Sequence, residues 1–423
     1  MSDAAAVKGK RVLLLVPPIT YRATDFVLAA HRLGLEVIIG SDGALPLGGN
    51  PVVPVDPADP GASVDRLLRT VGPVEAVVAV DSDMLPLAAH LGAALGLAHN
   101  APDAVAAAAD KASQRRLWSE AGVSQPGFRV VAADAHERQL ADVARGLGFP
   151  CIAKPVSLSA SRGVLRVDDA AGLRAAAAEI RAILSADGRH VGEPILLEEY
   201  VPGRELSIDG LLRDGALAVT AIFDKPDTPD GPTFEETLLV TPSRLPAATL
   251  AAATRLAERA AQALGLRHGP IHAELRIDER AGEARPVMLE LAARSIGGLC
   301  SRSLRFLDGT SLETMILLNA LGVPVDVAPP PGAAGVLMLP VERAGVLQGV
   351  EGQDEAKAVA GITGLSITIP SGHAVRPLPW GDRYLGFIFA EGNDAADVET
   401  ALRAAHSRLR PVIEPPGARS AQS

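Results

Sequence analysis

Two glutamates each stand alone inside an apolar, strand-like run. Glu274 lies in Gly269-Pro-Ile-His-Ala-Glu-Leu-Arg-Ile-Asp, and Glu290 lies in Val287-Met-Leu-Glu-Leu-Ala-Ala-Arg294. A carboxylate among apolar neighbours is costly unless it is paired or holds a cation. The turn-prone Asp278-Glu-Arg-Ala-Gly282 joins the two runs, which therefore read as an antiparallel hairpin. Adjacent strands can aim both carboxylates at one point. Two carboxylates completed by phosphate oxygens are the coordination that Mg²⁺ favours. The alternative is a surface hairpin with both side chains turned to water.

The chain has 423 residues, enough for two or three domains, and 48% of them are apolar. No apolar run reaches the ~18 residues of a membrane span. The first such run, residues 12–16, is too short for a signal-peptide core and ends at Pro17-Pro18, so a cytoplasmic protein is expected. The net charge of −10 argues against a broad nucleic-acid or anionic-membrane surface. Cys151 and Cys300 lack metal-ligand spacing and read as reduced thiols. Only six of the 40 basic residues are lysine, so a lysine inside a motif suggests a need for a compact ammonium.

Residues 11–16, 36–40 and 76–80 read as strands, and 26–33, 64–71 and 85–95 as helices. This is the rhythm of a doubly wound parallel sheet. Pro17-Pro-Ile-Thr follows the first strand where a dinucleotide fold carries glycines, so a nicotinamide-type site is not expected. The pattern changes near residue 104. One helix is expected over 104–121, strands over 128–131, 151–155, 163–167, 195–200 and 205–212, and helices over 135–147, 170–186 and 250–264. Residues 324–331 read as a proline-rich linker. Strands over 334–340, 364–370 and 385–391 and a helix over 395–409 follow. The tail, 415–423, reads as disordered.

Around Lys154, Ile152-Ala-Lys-Pro-Val-Ser-Leu-Ser159-Ala-Ser161-Arg162-Gly163-Val164 is a strand, a small-residue loop and a second strand. Small residues let backbone N–H groups approach phosphate oxygens, although this is not the Walker pattern. An ordinary hairpin with an exposed lysine is the competing reading. Lys111 by itself is a surface helix lysine. Ile195-Leu-Leu-Glu198-Glu199-Tyr200-Val201-Pro-Gly-Arg-Glu205 suits an adenine slot, with backbone donors and acceptors and a second carboxylate for ribose hydroxyls; a solvated strand end is the alternative.

Taken in order, Lys111, the Lys154 loop, the Glu198-Glu-Tyr-Val segment and the Glu274/Glu290 pair resemble the ATP-grasp superfamily. The resemblance is to its carboxylate–amine ligases, most closely the L-amino-acid ligase branch. Lys-Pro-x-x-x-Ser-x-Ser-Arg-Gly-Val, Gly-Pro-x-His-x-Glu and the region Gly372-His-Ala-Val-Arg-Pro-Leu-Pro-Trp-Gly-Asp-Arg-Tyr-Leu-Gly386 carry it. The resemblance implies an α/β chain with an α+β ATP-grasp core. An N-terminal doubly wound parallel-sheet domain would occupy 1–103, a two-lobed ATP-grasp core 104–325 (small lobe about 104–200, large lobe about 201–325), and a C-terminal α+β domain 332–414. Lys111 and Lys154 would bind ATP phosphates under a lid of Ser159, Ser161, Arg162 and Gly163. Glu198, Glu199, Tyr200 and Val201 would form the adenine hinge, and Glu205 would hold ribose. Glu274 and Glu290 would bind Mg²⁺, with Mn²⁺ as a substitute. Arg294 would stabilise the acyl phosphate. The family's Glu-x-Asn-x-Arg has Ala292 at its middle position here, which leaves the metal one oxygen ligand fewer.

The resemblance implies amide formation between a small carboxylate and an amine, such as two amino acids, through an acyl phosphate. His272 shares a strand face with Glu274 and is a candidate to orient substrate or take the amine proton; a structural histidine is the alternative. Arg302 and Arg305 are candidates for a substrate carboxylate, and the loop from Phe223 through Lys225 to Glu236 for an amino acid's two charges. Nucleic-acid or membrane partners are not expected, and a homodimer is, by analogy. A carboxylase or formyl-transferring relative, or a non-catalytic nucleotide-binding module, are the competing functions.

Overall fold

The computed structural model describes residues 6–43, 49–188, 191–280, 282–304, 306, 309–328 and 331–415; the expected tail and the position Arg305 fall outside them, apart from Pro415. The N-terminal alternation closes into a parallel sheet, with strands in the order Val52–Pro54, Glu36–Ser41, Arg11–Leu15 and Ala76–Ala79. Alternate residues of the central strand point to opposite faces. Val12 and Leu14 pack with helix Ala23–Arg32, while Leu13 and Leu15 pack with helices Pro60–Thr70 and Leu85–Leu95. Among the described residues no helix is long and apolar enough to cross a membrane.

A small antiparallel sheet follows, in the order Phe128–Val131, Ile195–Glu199, Cys151–Pro155 and Leu165–Val167. Helices Glu137–Leu147 and Ala170–Asp187 share its core. The largest sheet runs Arg285–Ala292, Gly269–Asp278, Glu205–Arg213, Ala216–Lys225, Leu238–Thr241, Ala333–Leu339, Gly386–Gly392 and Ile362–Ile367. Its last three strands come after the proline-rich stretch, yet they extend the same sheet, because Leu238–Thr241 pairs residue for residue with the strand Ala333–Leu339. A further small sheet joins Ala374–Val375, Gly345–Glu351 and Arg410–Glu414.

Two departures from the expected elements have clear causes. The helix expected over 104–121 is two helices, Pro102–Ala109 and Lys111–Glu120. Asp110 between them is extended, and its carboxylate accepts from the Ser113 N–H at 2.6 Å. That cap outweighs the helical preference of the alanines. The strand Ala216–Lys225 was not expected; it pairs back onto Glu205–Arg213 through Asp214-Gly215, both with positive φ, the Asp-Gly hairpin turn.

The helix Lys111–Glu120 closes the free edge of the large sheet. The Gln114 amide donates to Leu291 O at 2.9 Å and accepts from Leu291 N at 3.2 Å. Arg115 donates to Leu289 O at 2.6 Å and to Glu198 Oε1 at 2.5 Å. Its guanidinium also lies 5.2 Å from the Trp118 ring. Lys154 reaches the other Glu198 oxygen at 2.8 Å. Burial by itself would raise the Glu198 carboxyl, but Arg115 and Lys154 reverse that and hold it at about 2.

A carboxyl depressed from 4.5 to about 2 on folding stabilises the fold above its unfolded pKa and loses that contribution as pH falls towards its folded one. The shift amounts to something on the order of 3 kcal/mol. Glu198→Gln is therefore expected to be less stable than the parent in denaturant unfolding at about pH 7, by on the order of 3 kcal/mol. The gap should close as pH falls from about 4.5 to about 2. A gap that does not change with pH would contradict the assignment.

Candidate functional site

Glu274 and Glu290 are direct partners across their antiparallel strands, and a bulge follows Glu274. Their side chains keep 29% and 32% of their surface exposed, and both open onto one cavity of about 390 Å³. Lys111, Lys154, Ser159, Ser161 and Arg294 line the same cavity. Buried hydrogen bonds fix the lysines from the backbone up. The Lys111 N–H donates to Val156 O at 2.9 Å. Its ammonium donates to Leu158 O at 2.7 Å and lies 3.1 Å from Glu290 Oε1, so it ties the small-residue loop to the acidic hairpin. Burial lowers the pKa of the Lys154 ammonium; Glu198 and Glu290 oppose this, and Arg115 and Lys111 add to it. An anion arriving between the two lysines would relieve that strain on the charge.

Glu274 sits in a denser network. His272 Nε2 lies 3.5 Å from Glu274 Oε1, and its Nδ1 lies 3.1 Å from Asp209 Oδ2. Asp209 in turn accepts the Ile296 N–H at 2.8 Å. Burial would lower the imidazole pKa, but Asp209 and Glu274 lift it to about 9. Lys225 donates to Glu205 Oε1 at 2.8 Å and to Glu236, and lies 3.6 Å from Glu274 Oε2. Oxygens of Glu205, Glu236 and Glu274 fall within 4.8 Å of one another. Burial would raise Glu274, yet Lys225 and His272 hold it far below the usual carboxylate range. Burial raises Glu236, with Glu274 and Glu205 adding to it against Lys225. Thus both ends of the loop beginning at Lys225 reach the site.

The residues expected to form the hinge are held by arginines that the sequence reading did not single out. Arg276 donates to Glu205 Oε2 at 2.9 Å and to Val201 O at 2.8 Å, so both Glu205 oxygens are engaged. Arg166 and Arg276 lie 4.7 and 5.3 Å from the Tyr200 ring centroid, and the Tyr200 hydroxyl donates to Asp230. Tyr200, Val201, Ile152, Val164 and Leu289 border the cavity with Glu198, Glu199 and Glu205. Glu199 also pairs with Arg280 at 2.9 Å.

The expected lid residues divide. Ser159 and Ser161 face the cavity, and Ser161 follows Ala160 in a pair of left-handed residues. Arg162 turns to Asp187 at 3.0 Å, and the Gly163 N–H donates to Pro379 O at 3.1 Å; neither residue borders the cavity.

The N-terminal domain supplies the opposite wall through Pro17, Ile19, Tyr21 and Asp81–Asp83. Arg294 donates to Ser82 Oγ at 2.9 Å and to Ser295 O at 2.8 Å. Arg22, unnoticed in the sequence, bridges Asp81 and the Ser295 hydroxyl. Arg302 pairs with Asp25 at 2.8 Å and does not border the cavity.

This arrangement has relatives. Residues 147–303 match the family model of the ATP-grasp domain, and residues 337–414 match L-amino acid ligase C-terminal domain 2. The crystal structure of an L-amino acid ligase from Bacillus licheniformis superposes with a TM-score of 0.81 at 26% identity, covering 96% of this chain and 99% of that one. Carnosine synthase 1 of Gallus gallus is 36% identical over 212 residues, 48% of this chain and 22% of its own. A D-alanine–D-alanine ligase of Aromatoleum aromaticum is 31% identical over 191 residues, 44% of this chain and 57% of its own. The chain thus spans about a fifth of the one and just over half of the other. A solved biotin carboxylase domain in complex with MgADP, at 16% identity and a TM-score of 0.69, and a carboxyaminoimidazole ribonucleotide synthase in complex with ATP, at 17% and 0.73, share the fold. The chain thus carries an ATP-grasp domain over residues 147–303 and an L-amino acid ligase C-terminal domain 2 over residues 337–414, in the overall fold of the Bacillus licheniformis L-amino acid ligase.

Proposed function

We infer that the chain uses ATP to join a small carboxylic acid to an amine, with amino acids as the substrate class. The observation that carries this reading is the register pair Glu274–Glu290 opening onto the same cavity as Lys111, Lys154 and Arg294. A cavity lined by two carboxylates and two ammonium groups suits a triphosphate with its metal. The donor set fits Mg²⁺, since the two carboxylates are hard oxygen ligands that keep open surface. Glu274 and Glu290 would hold the ion, and when bound it supplies positive charge to the phosphoryl oxygens.

The chain's own residues do the remaining work. Lys154 and Lys111 place fixed charge on the phosphates, and the Ser159–Ser161 turn offers them close backbone approach. The Tyr200–Val201 strand end with Ile152, Val164 and Leu289 forms the apolar slot for the base. The substrate carboxylate displaces ADP at the γ-phosphorus, giving an acyl phosphate. The amine then adds to its carbonyl and expels phosphate, leaving an amide. Arg294, fixed by Ser82 and the Ser295 carbonyl, sets its guanidinium where the carbonyl oxygen gains charge. His272, with Nδ1 3.1 Å from Asp209 and Nε2 3.5 Å from Glu274, orients the Glu274 carboxylate. Shielding the acyl phosphate from water falls to the lobe that carries Ser159 and Ser161.

Incubation with Mg-ATP and mixed amino acids is expected to release ADP only when an acid and an amine are both present, and to yield an amide of summed mass less one water by mass spectrometry. ADP release with bicarbonate alone, or nucleotide binding without turnover, would contradict the reading. In the same assay Lys154→Ala and Glu290→Ala should each lower amine-dependent ADP release by about a hundredfold or more. A variant that keeps the parent rate removes its residue from the proposed machinery.

A further inference from the structure

We propose that the C-terminal turn Arg376–Asp382 is a clasp that positions the phosphate-covering lobe, with Trp380 and the Pro379 carbonyl as its contacts. Four observations meet there. The core of the small lobe is built from residues 131–197, and Trp380 is the partly buried hydrophobic side chain packed against it from outside that range among the described residues. The Trp380 indole N–H donates to Glu179 Oε1 at 2.5 Å, on the lobe's helix Ala170–Asp187. The Pro379 carbonyl accepts the N–H of Gly163, two residues beyond the cavity-lining Ser161. Arg376 lies 6.0 Å from the Trp380 ring centroid and covers it.

The turn is built to present those groups. Trp380 and Gly381 N–H both donate to Pro377 O, at 3.1 and 2.9 Å. A side chain at Gly381 would put a carbon 2.1 Å from Arg376 O, so only glycine allows the backbone to double back here. The following strand, Gly386–Gly392, lies within the large sheet, and Leu385 N–H donates to Leu339 O at 2.9 Å. On the receiving side, Gly163 has φ of +70°, and a Cβ there would press on the Pro155 ring at 3.1 Å. The far side of the lobe is tied separately, through Arg166 to Asp230 and to Pro232 O. The helix Lys111–Glu120 holds the lobe as well, through Lys111 to Leu158 O and Arg115 to Glu198. The clasp adds the tie at the Gly163 end of the turn carrying Ser159 and Ser161, and without it that end of the turn loses its anchor.

None of these residues touches the cavity, so their effect is through position. A lobe closed for a smaller fraction of the time binds nucleotide more weakly in that proportion and lets water reach an acyl phosphate. The nucleotide arm stands by itself; the coupling arm rests on the ligase reading. By calorimetry with a non-hydrolysable ATP analogue and Mg²⁺, Trp380→Ala is expected to bind about tenfold more weakly than the parent. Glu179→Gln, which keeps an acceptor for the indole, should bind like the parent, and Glu179→Ala should fall between. In turnover, Trp380→Ala should release more than one ADP per amide formed, with the KM for ATP raised more than kcat is lowered. Should Trp380→Ala fail to fold by circular dichroism, Trp380→Phe and Glu179→Ala carry the test. Folded variants with parental nucleotide affinity would overturn the clasp whether or not any amide is made. Failure to find an amide while the affinities shift as expected would count against the ligase reading alone.

Discussion

The Arg285–Ala292 strand is outermost in its sheet, and one helix closes its free edge with side chains. Gln114 makes a two-way amide pair with Leu291, and Arg115 donates to the Leu289 carbonyl. The residue between those two anchors is Glu290. Lys111, three and four positions before the anchoring side chains and therefore on the same helical face, reaches the Glu290 carboxylate itself. An edge strand without such cover is free to pair with another chain or to shift register. A one-residue slip would turn Glu290 away from Glu274 and out of the cavity. Arg115 extends the same helix's hold to Glu198 in the four-stranded antiparallel sheet, so one helix sets the relative positions of the acidic hairpin, the lysine-bearing strand and the segment from Glu198 to Val201.

The charges around the cavity are arranged so that each carboxylate has a counter-charge before any nucleotide arrives. Glu198 takes Arg115 and Lys154, Glu290 takes Lys111, and Glu274 takes His272 and, more distantly, Lys225. Buried carboxylates without partners would be protonated or expelled to water. Glu274 and Glu290 keep about a third of their surface while Glu198 is closed off. The open pair is available to a cation, and the closed one serves as scaffold. Catalysis by such a site is chiefly positioning and fixed charge, because phosphoryl transfer asks little covalent chemistry of the protein.

Legibility in the sequence followed the range of the interaction. Glu274 and Glu290 stood out because an isolated carboxylate in an apolar strand run demands a reason, and their hairpin is local. The N-terminal parallel sheet was legible from alternation alone. Lys111 read as an ordinary surface lysine, since its burial depends on Leu158 and Glu290, the latter far along the chain. Gln114 and Arg115 were illegible for the same reason: on a polar helix they look solvated, yet their strand partners lie 177 and 174 residues away. The joining of the last three strands to the large sheet was hidden by a proline-rich stretch that looks like a domain boundary. Asp214-Gly215, by contrast, was a local hairpin signal, and the strand after it lacks the clean alternation that would have announced it. Arg162 and Gly163 belong to a phosphate-loop pattern, but tertiary contacts to Asp187 and Pro379 draw them elsewhere.

The central claim is that Glu274 and Glu290 hold one divalent ion against the phosphates of a nucleotide gripped by Lys111 and Lys154. Electron paramagnetic resonance of Mn²⁺, titrated with a non-hydrolysable ATP analogue, tests it most directly. The account predicts that the parent protein immobilises Mn²⁺ only when the nucleotide is present, and that a folded double variant, Glu274→Gln with Glu290→Gln, leaves the ion free in solution while the analogue still binds weakly. Unchanged Mn²⁺ immobilisation by the double variant would contradict it.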